Sequence, residues 1–129
     1  MADKYKIAVA STDGVSVDQH FGRADKFFIY VLDDDVGYDF VAQRNLEPVC
    51  LGKSHNVLDM QKRVEKLKDC KYVAAAKIGP GAESALEKRG ITALELPGKI
   101  DEAVLSIWRY NQIQKLYKEK LQGQPGNNI

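Results

Sequence analysis

Residues 71–81 read KYVAAAKIGPG, a short apolar run followed directly by a turn. The run predicts a buried strand over Lys71–Ile78. Pro80 suits the first position of a helix, and this helix is predicted to continue to Arg89 because Gly90 favours a left-handed terminating residue. A buried strand that leads into a helix is the unit from which parallel sheets with covering helices are built.

Four further segments are short, rich in apolar residues and bounded by turn formers, so they also predict strands. They are Tyr5–Ser11, Lys26–Asp33, Tyr38–Leu46 and Ile91–Leu96. In the second of these, apolar side chains point both ways, so both faces should be covered. The third has mixed polarity, which favours an edge strand paired with the second through the turn at residues 33–37.

Two more helices are predicted from apolar residues at helical spacing. The first carries Val57, Met60, Val64 and Leu67 behind a capping Asn56, and the second carries Ile100, Ala103, Val104 and Ile107 and continues to about Leu121. The order β-β-β-α-β-α-β-α predicts an α/β fold with right-handed crossovers. We expect a five-stranded mixed sheet of order 3-2-1-4-5 with helices on both faces, which is the ribonuclease H-like motif. Residues 1–121 would form a single domain and 122–129 a flexible tail.

Composition limits the classes of function. The chain has 129 residues, 44% hydrophobic and 29% charged, with a formal net charge of +1. This near-neutrality argues against nucleic acid or an anionic membrane as partner. No apolar run approaches the roughly 20 residues of a membrane helix, and the first residues lack the apolar core of a secretory signal. We therefore expect a cytoplasmic protein whose two cysteines are free thiols or metal ligands.

The connection from Ser11 to Ala24 is longer than a tight hairpin needs, and it carries candidate binding groups. His20 stands beside Phe21, which could pack into the core and fix the position of the imidazole. Arg23 adds a cation, and loops on a rigid sheet commonly hold binding groups. The alternative is that His20 only bonds the loop backbone.

A second candidate is the segment Cys50-Leu51-Gly52-Lys53-Ser54-His55, ahead of the first predicted helix. A thiolate there could bind a soft metal, although it could also be an inert thiol. Cys70, between packed elements, is predicted to belong to the core. A zinc site from His20, Cys50, His55 and Cys70 is a remote alternative, because their spacing matches no familiar arrangement.

Several enzyme classes are disfavoured. The sequence has no Gly-x-Gly-x-x-Gly run. A ribonuclease H-like nuclease needs carboxylates on its central strands, where this chain has apolar residues and alanines. The turn Gly79-Pro80-Gly81 could accept an anion at a helix start, which leaves a nucleotide-binding enzyme as a rival hypothesis.

Together these motifs resemble the nitrogenase iron–molybdenum cofactor biosynthesis family, which includes NifX-type carriers and the carboxyl-terminal part of NifB-type proteins. The resemblance covers Lys6 to about Ile107. Its motifs are Asp13-Gly14, His20-Phe21-Gly22-Arg23-Ala24, Arg44, Cys50-Leu51-Gly52, Asp69-Cys70, Ile78-Gly79-Pro80-Gly81-Ala82 and Leu86 through Ile91. It implies a ribonuclease H-like fold and a non-enzymatic role in carrying an iron–sulfur precursor or the iron–molybdenum cofactor itself. It implies cofactor assembly proteins or apo-dinitrogenase as partners.

The chemistry of such a cargo agrees with the residues. An iron–sulfur cluster is soft and anionic, and it suits a few exchangeable ligands rather than a closed cage. His20 and Cys50 would be the metal ligands, and we expect them to converge at one edge of the sheet. Arg23, Lys53 and the helix start at Gly79 would offset the negative charge. A regulatory or adaptor module that binds a protein and no cluster is the alternative.

Overall fold

The computed structural model describes residues 4–33, 37–47 and 56–122. Its elements follow one another in the order β1 (Lys4–Ala10), β2 (Ser16–Val17), β3 (Lys26–Asp33), β4 (Tyr38–Asn45), α1 (Asn56–Glu65), β5 (Cys70–Ala75), α2 (Pro80–Lys88), β6 (Thr92–Glu95), β7 (Gly98–Lys99) and α3 (Ile100–Gln122). The predicted Asp34–Val36 part of the hairpin turn, the segment from Cys50 to His55 and the tail after Gln122 lie outside the described residues.

The main sheet has five strands in the order β4-β3-β1-β5-β6. The strand predicted third therefore lies at one edge and the strand predicted fifth at the other. β1 pairs antiparallel with β3, and β3 pairs antiparallel with β4, whereas β5 pairs parallel with both β1 and β6. The predicted α/β fold with a mixed five-stranded sheet is confirmed. Because β1, β5 and β6 run in the same direction, the connections that follow these strands lie at the same end of the sheet, beyond the carboxyl ends of the strands.

Two apolar clusters cover the two faces of this sheet. One includes Phe21, Phe27 and Leu67 and is covered by α1 and α2. The other includes Ile7, Leu32 and Ile107 and is covered by α3. Strand β3 contributes alternate residues to both clusters, so the prediction that both of its faces are covered is confirmed. Among the described residues, no helix is both long and apolar enough to cross a membrane.

A second, two-stranded sheet was not predicted. β2 pairs antiparallel with β7, with Ser16 opposite Lys99 and Val17 opposite Gly98. The amide of Ile100 extends the contact by donating to the carbonyl of Val15 at 2.8 Å. Strands of two residues are too short to show a period of two. The small sheet joins the connection after β1 to the start of α3.

Candidate functional site

The connection between β1 and β3 is held against the end of β5 by backbone hydrogen bonds. The amide of Ala76 donates to the carbonyl of Gln19, and the amide of Phe21 donates to the carbonyl of Lys77, both at 2.9 Å. His20 thereby forms a parallel bridge with Lys77. Strand four was predicted to reach Ile78, but the regular strand ends at Ala75 because the next residues pair with this connection instead.

His20 itself is exposed, whereas the next residue is completely buried. The ring of Phe21 contacts Phe27 edge-on with centroids 5.6 Å apart, so the predicted packing of Phe21 into the core is confirmed. The carbonyl of His20 accepts hydrogen bonds from the amides of Arg23 and Ala24, at 3.1 and 3.0 Å, and closes a tight turn. In the described part of the chain the imidazole has no hydrogen-bond or ion-pair partner. An exposed imidazole on a fixed backbone is suited to bind a ligand from solution.

The first half of the same connection is organised by its own carboxylates. Asp13 Oδ1 accepts from the amides of Val15 and Ser16, at 2.9 and 3.0 Å, and these bonds lower the pKa of the Asp13 carboxyl. Asp18 accepts from the amide of Thr12 at 2.9 Å and from its hydroxyl at 2.5 Å. Both aspartates therefore hold the backbone of the loop, which makes them structural in this arrangement.

Arg63 lies beneath the His20 turn and was not predicted. This residue of α1 is only 3% exposed. Its guanidinium donates to the carbonyls of Phe21 and Ala24, at 3.2 and 2.6 Å, and to the carbonyl of Glu47. Burial lowers the pKa of Arg63 to about 10, which leaves it cationic at neutral pH. The sequence did carry a signal, since Arg63 is three residues from Met60 and four from Leu67 and so falls on the predicted apolar stripe.

The predicted helix start at Gly79 adjoins this region. Gly79 is the N-cap residue of α2, with Pro80 at the first helical position as predicted, and no side chain caps it. A Cβ added at Gly79 would meet nothing within 4 Å. Glu95, at the end of β6, accepts a hydrogen bond from the amide of Ile78 at 2.8 Å. A carboxylate therefore stands beside the residue expected to favour an anion, and the sequence pattern did not indicate it.

The other predicted site residues fall into two groups. Arg23 is exposed on the His20 turn, so it shares that turn with the imidazole. Cys50 and Lys53 lie outside the described residues. The convergence of Cys50 with His20 and the role of Lys53 in offsetting the cargo's charge remain predictions. Within residues 4–33, 37–47 and 56–122, no three histidine, cysteine or acidic side chains are grouped to hold a metal ion.

Cys70 is a free, buried thiol at the start of β5 and belongs to the core, as predicted. Burial raises the pKa of this thiol to about 12. His20 pairs beyond the opposite end of the same strand, and six strand residues place about 17 Å between those ends. The alternative zinc site that would use both residues is therefore wrong.

Comparison with known proteins identifies the family. Residues 3–109 match the family model described as dinitrogenase iron-molybdenum cofactor. The chain belongs to this family. The predicted resemblance is thus confirmed, and the match ends within α3, thirteen residues before that helix does.

Relatives of the dinitrogenase cofactor family are found among curated proteins. The chain is 34% identical over 113 residues to the FeMo cofactor biosynthesis protein NifB of Chlorobaculum tepidum, covering 87% of this chain and 26% of that protein. It is 36% identical over 110 residues to NifB of Frankia alni, covering 82% of this chain and 21% of that protein. The chain therefore spans only about a quarter of the length of these relatives.

Solved structures share the fold. A putative NifB protein from Thermotoga superposes with a TM-score of 0.53 at 24% identity, covering 80% of this chain and 86% of that one. The apo form of the orange protein from Desulfovibrio gigas gives a TM-score of 0.53 at 22% identity, covering 92% of this chain and 88% of that one. Both likenesses concern the fold alone.

Proposed function

We propose that this protein binds and carries an iron–sulfur precursor of the iron–molybdenum cofactor, or the cofactor itself, without transforming it. The observation that carries the proposal is the exposed imidazole of His20 on a turn fixed to the end of β5. In open α/β sheets ligands bind outside the carboxyl ends of the strands, where this turn lies. The family match and the names of the NifB relatives supply the class of cargo.

The proposed site takes its ligands from His20 and Cys50. Arg23 and Lys53 would offset the charge of the cargo, together with the amides at the helix start that follows Gly79. Two ligands of borderline and soft character suit iron in a sulfide cluster. Because only two protein ligands hold the cargo in this proposal, only two bonds to the protein must be exchanged when it passes to assembly proteins or to apo-dinitrogenase.

The scaffold of the proposal is a single domain over residues 1–121 with the ribonuclease H-like motif. The support is the sheet order β4-β3-β1-β5-β6 with an antiparallel β4-β3-β1 half and parallel neighbours beyond it. The central strand β1 presents Ile7, Ala8, Val9 and Ala10, none of which can hold the metals of a nuclease. A non-catalytic role is therefore proposed for this sheet.

The test is an anaerobic titration with isolated iron–molybdenum cofactor, followed by visible absorption and electron paramagnetic resonance. Wild type should bind and change the resonance of the cofactor, and His20→Ala should bind at least about tenfold more weakly, since even indirect disturbance of a metal ligand costs that much. The comparison variant Tyr117→Ala removes another exposed ring, on α3 beyond the residues that match the family model, and should bind within about twofold of wild type. If wild type does not bind the cofactor, the carrier proposal is refuted and the adaptor function is favoured. Equal binding by His20→Ala would refute the role of His20.

A further inference from the structure

The guanidinium of Arg63 is buried without an ion pair in the described part of the chain. The residue is almost completely buried, and no carboxylate among the described residues lies within ion-pair distance of it. Its two terminal nitrogens donate to three carbonyl oxygens, those of Phe21, Ala24 and Glu47. The buried Nε has no hydrogen-bond partner among the described residues, and the charge of Asp25 favours the cation without forming an ion pair. The rings of Phe21 and Phe27 add cation–π contacts, with the guanidinium carbon 5.7 and 5.6 Å from their centroids. Taking a guanidinium out of water is costly even with these partners.

Stability alone does not require a guanidinium at this position. A well-packed apolar side chain of similar volume is often as stabilising as a buried ionic group, or more so. The neighbouring positions on the same stripe, Met60 and Val64, are apolar and pack in this core. What an apolar residue cannot do is hold backbone carbonyls in defined directions.

The three carbonyls belong to two separate segments of the chain. Phe21 and Ala24 lie in the turn that carries His20 and Arg23, and Glu47 follows β4, three residues before Cys50 in the sequence. A planar guanidinium presents its donors in a fixed fork, so one side chain can direct both segments at once. Ligands that are held in place before binding save the entropy of ordering them.

We propose that Arg63 is a positioning residue for cargo binding, which orients the His20 turn relative to the chain leaving β4 without contacting the cargo. This inference rests on the proposed function above. It predicts that loss of the guanidinium loosens the turn while the sheet stays intact, and that cargo affinity falls with that loosening.

The experiment uses the full chain with Arg63→Met, which keeps length and apolar volume, and Arg63→Lys, which keeps the charge but not the fork. The matched control is Arg44→Met. That substitution also removes a guanidinium beside α1, but Arg44 binds Asp69 and the carbonyl of Lys66 instead of the turn. Amide hydrogen exchange is read at Phe21, Arg23 and Ala24 and compared with strands β1 and β5. Affinity is measured with isolated iron–molybdenum cofactor.

Arg63→Met should speed exchange at the three turn amides at least about tenfold more than in β1 and β5, and should weaken cofactor binding about tenfold. Arg63→Lys should give intermediate values for both, and Arg44→Met should leave the turn amides and the affinity as in wild type. If Arg63→Met does not fold, the same comparison is made with Arg63→Lys alone.

Exchange that rises evenly throughout the sheet, or stays unchanged in the turn, would overturn the inference and leave Arg63 a general structural residue. Loosening of the turn with unchanged affinity would overturn it as well. If wild type itself binds no cofactor, the proposed function fails independently, because the exchange measurement needs no cargo and still decides whether Arg63 orders the turn.

Discussion

The amide of Phe21 donates to the carbonyl of Lys77 at 2.9 Å, across 56 positions of sequence. This bond fixes the residue after His20 to the chain leaving β5. The side chain of Phe21 is completely buried on the same backbone that presents His20 to solvent. Position and exposure of the imidazole therefore follow from the sheet and its core, with little freedom left to the loop.

The first prediction concerns Gly14, in the loop before His20. Its φ is +76°, and an added Cβ would lie 2.9 Å from the ring of Phe28. Gly14→Ala should therefore lower the free energy of unfolding by about 2–4 kcal/mol. An alanine in the left-handed backbone conformation costs about 1–2 kcal/mol, and the clash with Phe28 adds to this cost. Urea denaturation of the variant measures this change.

Gly90 provides the control for that prediction. Its φ is +77°, yet an added Cβ there would meet nothing within 4 Å. Gly90→Ala should lower the free energy of unfolding by only about 1–2 kcal/mol, the cost of the left-handed backbone conformation without a clash. Equal losses in the two variants would show that Phe28 yields to the new methyl group, and the predicted clash would be wrong.

Much of the fold was predictable because it depends on local patterns. The predicted strand Lys26–Asp33 has the same bounds in the structure, and the final helix ends one residue past the predicted Leu121. The small sheet of β2 and β7 was missed because each strand has two residues. Its register depends on how the connection after β1 meets the start of α3, which is a tertiary relation without a local period.

The candidate site was less predictable for a related reason. His20 stood out because the packing residue Phe21 is its neighbour in the chain. Arg63 and Glu95 act on backbone atoms that are 42 and 17 positions away. A carbonyl or an amide has the same identity at every position, so no residue type marks which one receives the bond.

The second prediction concerns acid stability through Asp69. Arg44 donates to both of its carboxylate oxygens, at 2.8 and 2.7 Å, and Lys6 donates at 3.3 Å. The Arg44 guanidinium holds the pKa of the Asp69 carboxyl well below its usual range. A carboxyl whose pKa is lowered on folding stabilises the protein above its unfolded pKa of about 3.9, and this stability is lost as pH falls below that value.

Asp69→Asn should therefore make the free energy of unfolding depend less on pH in the acid range, below about pH 4. Because the Asp69 side chain is 39% exposed, solvent screening reduces the effect to about 1 kcal/mol. Urea denaturation from about pH 5 to about pH 2 should show wild type losing that much more stability than the variant. Parallel curves for the two proteins would contradict the assigned pair.

The third prediction concerns the reactivity of Cys70. Burial raises the pKa of its thiol to about 12, and the nearby Asp69 charge acts in the same direction. Since the thiolate is the reactive form, Cys70 in a Cys50→Ser variant should react with iodoacetamide at about pH 8 at least about a hundredfold more slowly than in urea. Mass spectrometry measures the two rates, and similar rates would contradict the buried position.

The same thiol should lower stability at high pH. Folding favours the neutral thiol, so above the unfolded pKa of about 8.5 the unfolded chain loses this proton more readily than the folded one. The free energy of unfolding therefore declines as pH rises from there toward the folded pKa of about 12. Cys70→Ala should remove this decline, measured as the difference between the free energies of unfolding at about pH 8 and about pH 10. An unchanged difference would contradict the raised pKa.

The last prediction concerns Glu95, whose carboxylate accepts from the amide of Ile78 beside the proposed anion-favouring residue Gly79. A glutamine oxygen can accept the same bond, so Glu95→Gln should keep the start of α2 while removing a negative charge. A unit charge about 10 Å from an anionic cargo, at an effective dielectric constant of about 40 to 80, opposes binding by roughly 0.4–0.8 kcal/mol. The variant should therefore bind isolated iron–molybdenum cofactor about two- to fourfold more tightly at low salt.

The control for this prediction is Glu87→Gln. Glu87 lies on α2, eight residues after Gly79, and this variant should bind the cofactor as wild type does. The gain should shrink in about 0.5 M salt, where screening is strong, and a gain that is absent at low salt would mean that the cargo does not approach the start of α2.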